Sequence, residues 1–155
     1  MSRSSIAVLG VALAAAALLC TPSPASAAAP RVIKITGTDA MRYSVTRIEA
    51  KPGETLKVEL TAVGKMPKSE MAHNFNLLKK GVDPNSFVMA GAMARNTDYF
   101  PERKKDQVIA HTGLAGAGET VEVTFDAPKE PGEYTYLCTY PGHYAGGMKG
   151  VLVVK

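Results

Sequence analysis

The sequence predicts an all-β sandwich of about eight short strands with one short helix. Three observations carry this. Apolar and β-branched residues alternate in short runs, turn-forming residues separate the runs, and a single stretch offers consecutive helix formers. The runs are Val32 to Thr36, Tyr43 to Glu49, Thr55 to Thr61, Asn74 to Leu78, Asp106 to Ala110, Thr120 to Phe125, Tyr134 to Cys138 and Val151 to Val154. Between them stand Lys51-Pro52-Gly53-Glu54, Pro67, Gly116-Ala117-Gly118-Glu119 and Pro131-Gly132-Glu133, where Pro presets φ and Gly admits turn conformations. Strands at this spacing suggest antiparallel pairing in a sandwich. The helix is expected after Asp83-Pro84-Asn85, over Ser86, Phe87, Val88, Met89, Ala90, Met93 and Ala94, with Gly91 weakening it. Its methionines read as packing residues.

Residues 1–27 have the layout of a secretory signal. Arg3 provides the positive start, Ile6 to Leu19 form the apolar run, and Ala25-Ser26-Ala27 supply small residues for cleavage, with Ala29 as a rival position. Lipid attachment at Cys20 is disfavoured by bulky Leu19 before it. Residues 28–155 are then expected to be one exported domain with no membrane span. Of the chain's 18 basic side chains Arg3 departs with the signal, leaving 17 against 14 acids. That mild excess is dispersed, and Arg103-Lys104-Lys105 is flanked by Glu102 and Asp106, so no nucleic-acid surface is expected.

Cysteine usage is sharper. Once Cys20 leaves, Cys138 is alone in a compartment that favours disulfides. Such a thiol is buried and inert, reactive, bonded to another chain, or protected by a metal. Its neighbours favour the metal. Cys138-Thr139-Tyr140-Pro141-Gly142-His143-Tyr144-Ala145-Gly146-Gly147-Met148 places thiolate, imidazole and thioether in one loop that Pro141-Gly142 can bend around an ion. His73, at the start of a strand, is the expected fourth ligand. Two imidazoles and a thiolate with a weak axial thioether are the donor set of blue-copper electron transfer, and structural zinc sites rarely use Met. The expected cofactor is one type 1 copper ion cycling between Cu(II) and Cu(I), and the expected function is transport of single electrons rather than enzymatic catalysis. A copper chaperone or store is the competing reading. A Cys138/His143 nucleophile–base pair would lack an orienting acid and leave Met148 unexplained.

At these residues the sequence resembles the cupredoxins, most closely the azurins. The resemblance runs through Thr36-Gly37-Thr38-Asp39-Ala40-Met41, Met66-Pro67-Lys68, Met71-Ala72-His73-Asn74, Val108-Ile109-Ala110-His111-Thr112, Val123-Thr124-Phe125-Asp126 and Cys138 to Lys155. It implies a Greek-key β-sandwich with copper at one end and a helix-bearing flap between His73 and Cys138. It also implies that Asn74 ties the two ligand loops together and that the backbone N–H near Tyr140 points at the Cys138 sulfur. His111 is implied to be exposed and not a ligand. Three positions depart from azurins: Ala72 replaces the usual Gly, whose carbonyl is a second axial neighbour of copper; the His143-to-Met148 loop has the longer plastocyanin and auracyanin spacing; and the azurin disulfide has no counterpart.

The same resemblance implies a periplasmic carrier that docks transiently on c-type cytochromes or on copper or haem reductases and oxidases. The docking patch would comprise Met41, Met66, Tyr140, Pro141, Gly142 and a partly exposed His143, with Glu70 placing one charge at its edge.

Overall fold

In the run Thr55–Val63, every second residue faces inward: Leu56, Val58 and Leu60 are fully buried and Ala62 nearly so, while the residues between them are partly exposed. This period of two is what a strand with one covered face requires. In a computed structural model, which describes residues 29–155, the chain forms nine strands. They are β1 (Arg31–Thr38), β2 (Arg42–Tyr43), β3 (Arg47–Ala50), β4 (Thr55–Val63), β5 (Asn76–Leu78), β6 (Val108–His111), β7 (Thr120–Asp126), β8 (Gly132–Leu137) and β9 (Lys149–Val154). The one α-helix, α1 (Pro84–Ala92), is followed by 3₁₀ turns at Arg95–Thr97 and Glu102–Gln107. The expected signal segment, residues 1–27, lies outside the described residues. Among the described residues no helix is long and apolar enough to cross a membrane.

The strands form two sheets, ordered β2-β1-β4-β7 and β3-β9-β8-β5-β6. Ile35, Leu56, Val58 and Leu60 from the first sheet meet Phe75, Leu77, Tyr136 and Leu152 from the second in one core. At about 1.5–3 kcal/mol for each large apolar side chain buried, this core outweighs the surface ion pairs, which contribute at most about 1 kcal/mol each.

Pairing departs from the purely antiparallel expectation at two places. β1 and β4 run parallel along all of β1, from Arg31↔Leu56 to Thr38↔Val63, and β3 and β9 run parallel from Arg47↔Val151 to Ala50↔Val154. Alternation identifies a half-buried strand but carries no direction, so the sequence pattern could not reveal this. The run Tyr43 to Glu49 also divides. Tyr43 pairs with β1, whereas Arg47 onward pairs with β9 in the other sheet. Ser44 makes the break by bonding Thr36 through both its backbone N–H and its hydroxyl, and Val45 then offers its carbonyl to the Tyr136 hydroxyl at 2.7 Å.

Helix α1 forms where expected. The Asp83 carboxylate accepts the N–H groups of Asn85 and Ser86, both at 3.1 Å, and Pro84 occupies the first turn, where no N–H is needed. Phe87 drops from the helix onto Leu78, Phe100 and Leu137, so the segment between β5 and β6 covers the outer face of the second sheet. All three residues of β5 are consequently buried.

Gly91 has a role that helix propensity hides. A Cβ there would stand 2.8 Å from both Thr139 Cβ and the Tyr99 carbonyl oxygen, so glycine sets how closely the helix approaches the chain just after Cys138. Gly91→Ala is expected to lose more through this contact, about 1–3 kcal/mol, than the ~1 kcal/mol that alanine adds to a helix. The urea midpoint should fall with an unchanged m-value; a rise would show that the helix has room to move away.

Candidate metal centre

His73 enters the site from a segment held on both sides. Its N–H donates to the Ala115 carbonyl and its carbonyl accepts the Ala115 N–H, both at 2.8 Å, while Phe75 N–H donates to Thr112 Oγ1 at 3.0 Å. From the other direction, β8 ends at Leu137 and delivers Cys138. The loop then folds back through His143 N–H to Tyr140 O, Met148 N–H to His143 O, and Cys138 N–H to Met148 O. Gly142 (φ 84°) and Gly147 (φ 101°) adopt the left-handed conformations that these reversals need.

The result brings together the three strongest donors picked out in the sequence. Ligand atoms of His73, Cys138 and His143 all lie within 4.8 Å of one another. His73 Nδ1 is 3.3 Å from His143 Nδ1, and Cys138 Sγ is 3.5 Å from the same nitrogen. All three side chains are buried. Met148 is also fully buried, and Gly37 shows where its tip lies: a Cβ on Gly37 would be 2.8 Å from both Met148 Cε and His73 Cδ2. Met148 therefore ends beside the His73 ring. Ala72, preceding His73, is buried as well.

His143 is 2% exposed rather than partly exposed as expected. The Tyr140 ring covers it, with centroids 4.7 Å apart, and Met41 reaches across to within about 3.1 Å of the Cβ position of Gly146. Pro141 and Gly142 remain exposed beside it. Met66 is 37% exposed, and Met41, at φ 55°, is half-buried. Cations stand close to this loop: the Arg42 guanidinium lies over Gly147 and Lys149 Nζ sits 4.7 Å from the Tyr144 ring centroid.

Burial sets the electrostatics. It pushes the Cys138 thiol up to about 12, although the N–H groups of Asn74 and Tyr140, both aimed at the sulfur, pull the other way. Burial, aided by the adjacent His73, holds His143 down to about 4; burial also lowers His73, against the opposing field of Asp39. Near neutrality the pocket thus presents two uncharged imidazoles and a thiol. Removing the thiol proton leaves a buried anion that requires a cation partner, and the donor types suit a soft metal ion with access to two oxidation states.

Asn74 joins the two ligand segments. Its Oδ1 accepts the Thr139 N–H at 2.9 Å, its Nδ2 donates to Thr139 Oγ1 at 2.9 Å and to the Asp98 carbonyl at 3.2 Å, and its own carbonyl accepts the buried Tyr43 hydroxyl. The resemblance to azurins singles out Asn74 and Tyr140. Gly37, Tyr43, Asn76, Gly91 and Thr139 escape sequence reasoning, although a glycine inside the strand run at Gly37 is a recognisable sign of close approach. His111 is exposed and stacks on Phe100 with centroids 3.8 Å apart, on the edge strand β6.

These pKa shifts have a measurable consequence. Uptake of a divalent cation at pH 7 should release about one proton, from Cys138, and at pH 5.5 the number should stay below two, because His143 is already neutral there and burial lowers His73 as well. Calorimetric titration in buffers of different ionisation enthalpy measures this. Release approaching three protons at pH 5.5 would show two ordinary imidazoles, and release of none at pH 7 would show a thiolate already formed.

Comparison with known proteins agrees with this geometry. Residues 30–155 match the model of a family described as copper binding proteins, plastocyanin/azurin family. Azurin of Pseudomonas aeruginosa is 38% identical over 147 residues, covering 92% of this chain and 97% of that protein. Azurin of Achromobacter denitrificans is 40% identical over 121 residues, covering 76% and 80%. Among solved structures, dithionite-reduced auracyanin of Roseiflexus castenholzii superposes with a TM-score of 0.72 at 32% identity, covering 83% of this chain and 99% of that one. A two-sheet sandwich, a buried His-Cys-His cluster and a family match over the described domain converge on one conclusion: the chain belongs to the copper-binding plastocyanin/azurin family, the cupredoxins.

Proposed function

We propose that residues 28–155 form an exported, periplasmic electron carrier in which His73, Cys138, His143 and Met148 would hold one copper ion, the Ala72 carbonyl being a further candidate donor. The family is that of blue copper electron-transfer proteins, and the observation that carries the residue assignment is the convergence of three buried donors within 4.8 Å. Bound there, copper would accept and return one electron between Cu(II) and Cu(I).

The chain's own part is to keep the donors still and dry. His73 is fixed through Ala115, Cys138 through the Asn74–Thr139 bonds, and His143 and Met148 through the hydrogen bonds of their shared loop. Donors held this firmly move little when the charge at the site changes, so little reorganisation opposes transfer. Thiolate and thioether favour the reduced ion while imidazoles serve the oxidised one, so the set keeps both states accessible. The N–H groups of Asn74 and Tyr140 stabilise negative charge on the Cys138 sulfur, which tunes the potential.

Partners of the kind proposed, c-type cytochromes or copper or haem reductases and oxidases, would meet the end of the sandwich bearing Met41, Met66, Tyr140, Pro141, Gly142 and His143. Because His143 and Tyr140 are both buried, the contact would run through the exposed Pro141-Gly142 edge and Met66. Arg42 and Lys149, which lie against Gly147 and Tyr144 of the same loop, would favour an acidic counterpart. The proposal makes the chain a carrier and not an enzyme.

The test is the visible spectrum of the purified mature chain after addition of Cu(II). An intense thiolate-to-copper band that disappears on reduction is expected. Cys138→Ser should abolish it, whereas replacing Met148 should retain copper and move the potential. A colourless Cu(II) complex, or one that yields copper rapidly to a weak chelator without measurable electron exchange, would overturn the reading in favour of copper storage or delivery.

A further inference from the structure

Along the flap-facing side of β5 and the residues leading into it, Asn76 follows Asn74, because successive side chains point to opposite faces while Phe75 and Leu77 enter the main core. Asn76 is fully buried. Its Nδ2 stands 3.0 Å from Asn74 Oδ1 and 3.4 Å from both the Leu137 carbonyl oxygen and Thr139 Oγ1. Its own Oδ1 has no hydrogen-bond partner among the described residues. A buried amide with an orphaned acceptor is a poor choice for stability, since an apolar side chain of similar shape would carry no such cost.

We infer that Asn76 is a positioning residue for the metal centre, orienting the Asn74 carboxamide and thereby the backbone on both sides of Cys138. The inference rests on the proposed role of Cys138 as a copper ligand. Thr139 N–H, Thr139 Oγ1 and Asn76 Nδ2 surround Asn74 Oδ1 at 2.9, 3.2 and 3.0 Å. Two of these are N–H donors, so an oxygen must face them; rotating the Asn74 amide would set N–H against N–H. The Leu137 carbonyl, an acceptor, in turn fixes which end of the Asn76 amide points inward. The chain of bonds therefore starts at the residue before Cys138, passes through Asn76 and Asn74, and ends on the peptide N–H of the residue after it. Gly91 closes the space above Thr139 and keeps that end from lifting. The unpaired oxygen of Asn76 is the cost of placing a donor where an apolar residue would pack as well.

Asn76→Leu removes the donor and the orphaned acceptor together at nearly constant shape. In the Cu(I)-loaded protein, which is diamagnetic, hydrogen exchange of the Thr139 amide should accelerate at least tenfold, while that of Leu56 in the distant β4 stays unchanged. The melting temperature should hold or rise, and the reduction potential and the thiolate-to-copper band should both shift. Asn76→Ala, which cannot overpack, gives the same readouts if the leucine variant does not fold. Unchanged Thr139 exchange and an unchanged potential in a folded variant would overturn the inference, as would acceleration equal at Thr139 and Leu56, which marks a purely structural role. Absence of the band in the parent protein would refute copper ligation by Cys138 instead, and so separates the two claims.

Discussion

The hydrogen bonds between Asn74 and Thr139 hold together two parts of the chain that are 65 residues apart, and the geometry of the centre depends on them. They are buried, so water does not compete for either partner, and breaking one would leave a polar group stranded in a medium that cannot solvate it. Because Asn74 neighbours His73 and Thr139 neighbours Cys138, this pair converts the sandwich's rigidity into a fixed separation of imidazole and sulfur. The Tyr43 hydroxyl on the Asn74 carbonyl extends the same constraint to the first sheet. Gly37 extends it further by letting His73 and Met148 lie against β1 with no side chain between.

The sandwich supplies the second ingredient, exclusion of water. A thiol pushed up to about 12 and an imidazole held down to about 4 express one fact, that charge is unwelcome in this pocket unless it is balanced. Peptide N–H groups from Asn74 and Tyr140 soften that penalty for the sulfur without adding net charge. Rigidity and dryness thus arise from the same packing. The flap contributes both, since it buries β5 from outside and presses Gly91 onto Thr139.

Much of this was legible in the sequence where the information is local. Cys138, His143 and Met148 lie in one short loop whose turn residues are themselves visible, and Asp83-Pro84 marks the helix start. What required the structure depends on elements meeting across space. Strand direction is absent from an alternating pattern, so the parallel β1–β4 and β3–β9 pairs could not be read. The sheet switch within Tyr43 to Glu49 depends on Ser44 finding Thr36. His143 read as partly exposed because its cover, Tyr140 and Met41, comes from side chains whose directions the sequence does not specify. Gly91 read as a weak helix residue, and its close approach to Thr139 appears only when the helix is docked. Asn76 looked like one polar position in a strand run, and its place behind Asn74 emerges only from the register Asn76↔Leu137.

The fold prepares the ligand geometry before copper arrives. Crystal structures of residues 28–155 with and without copper, grown at the same pH, provide the test. His73, Cys138 and Met148 should keep their rotamers and the Asn74–Thr139 bonds should persist without the ion. A metal-free structure in which residues 138–148 rearrange and those bonds are broken would contradict it, and would make copper the organiser of its own site.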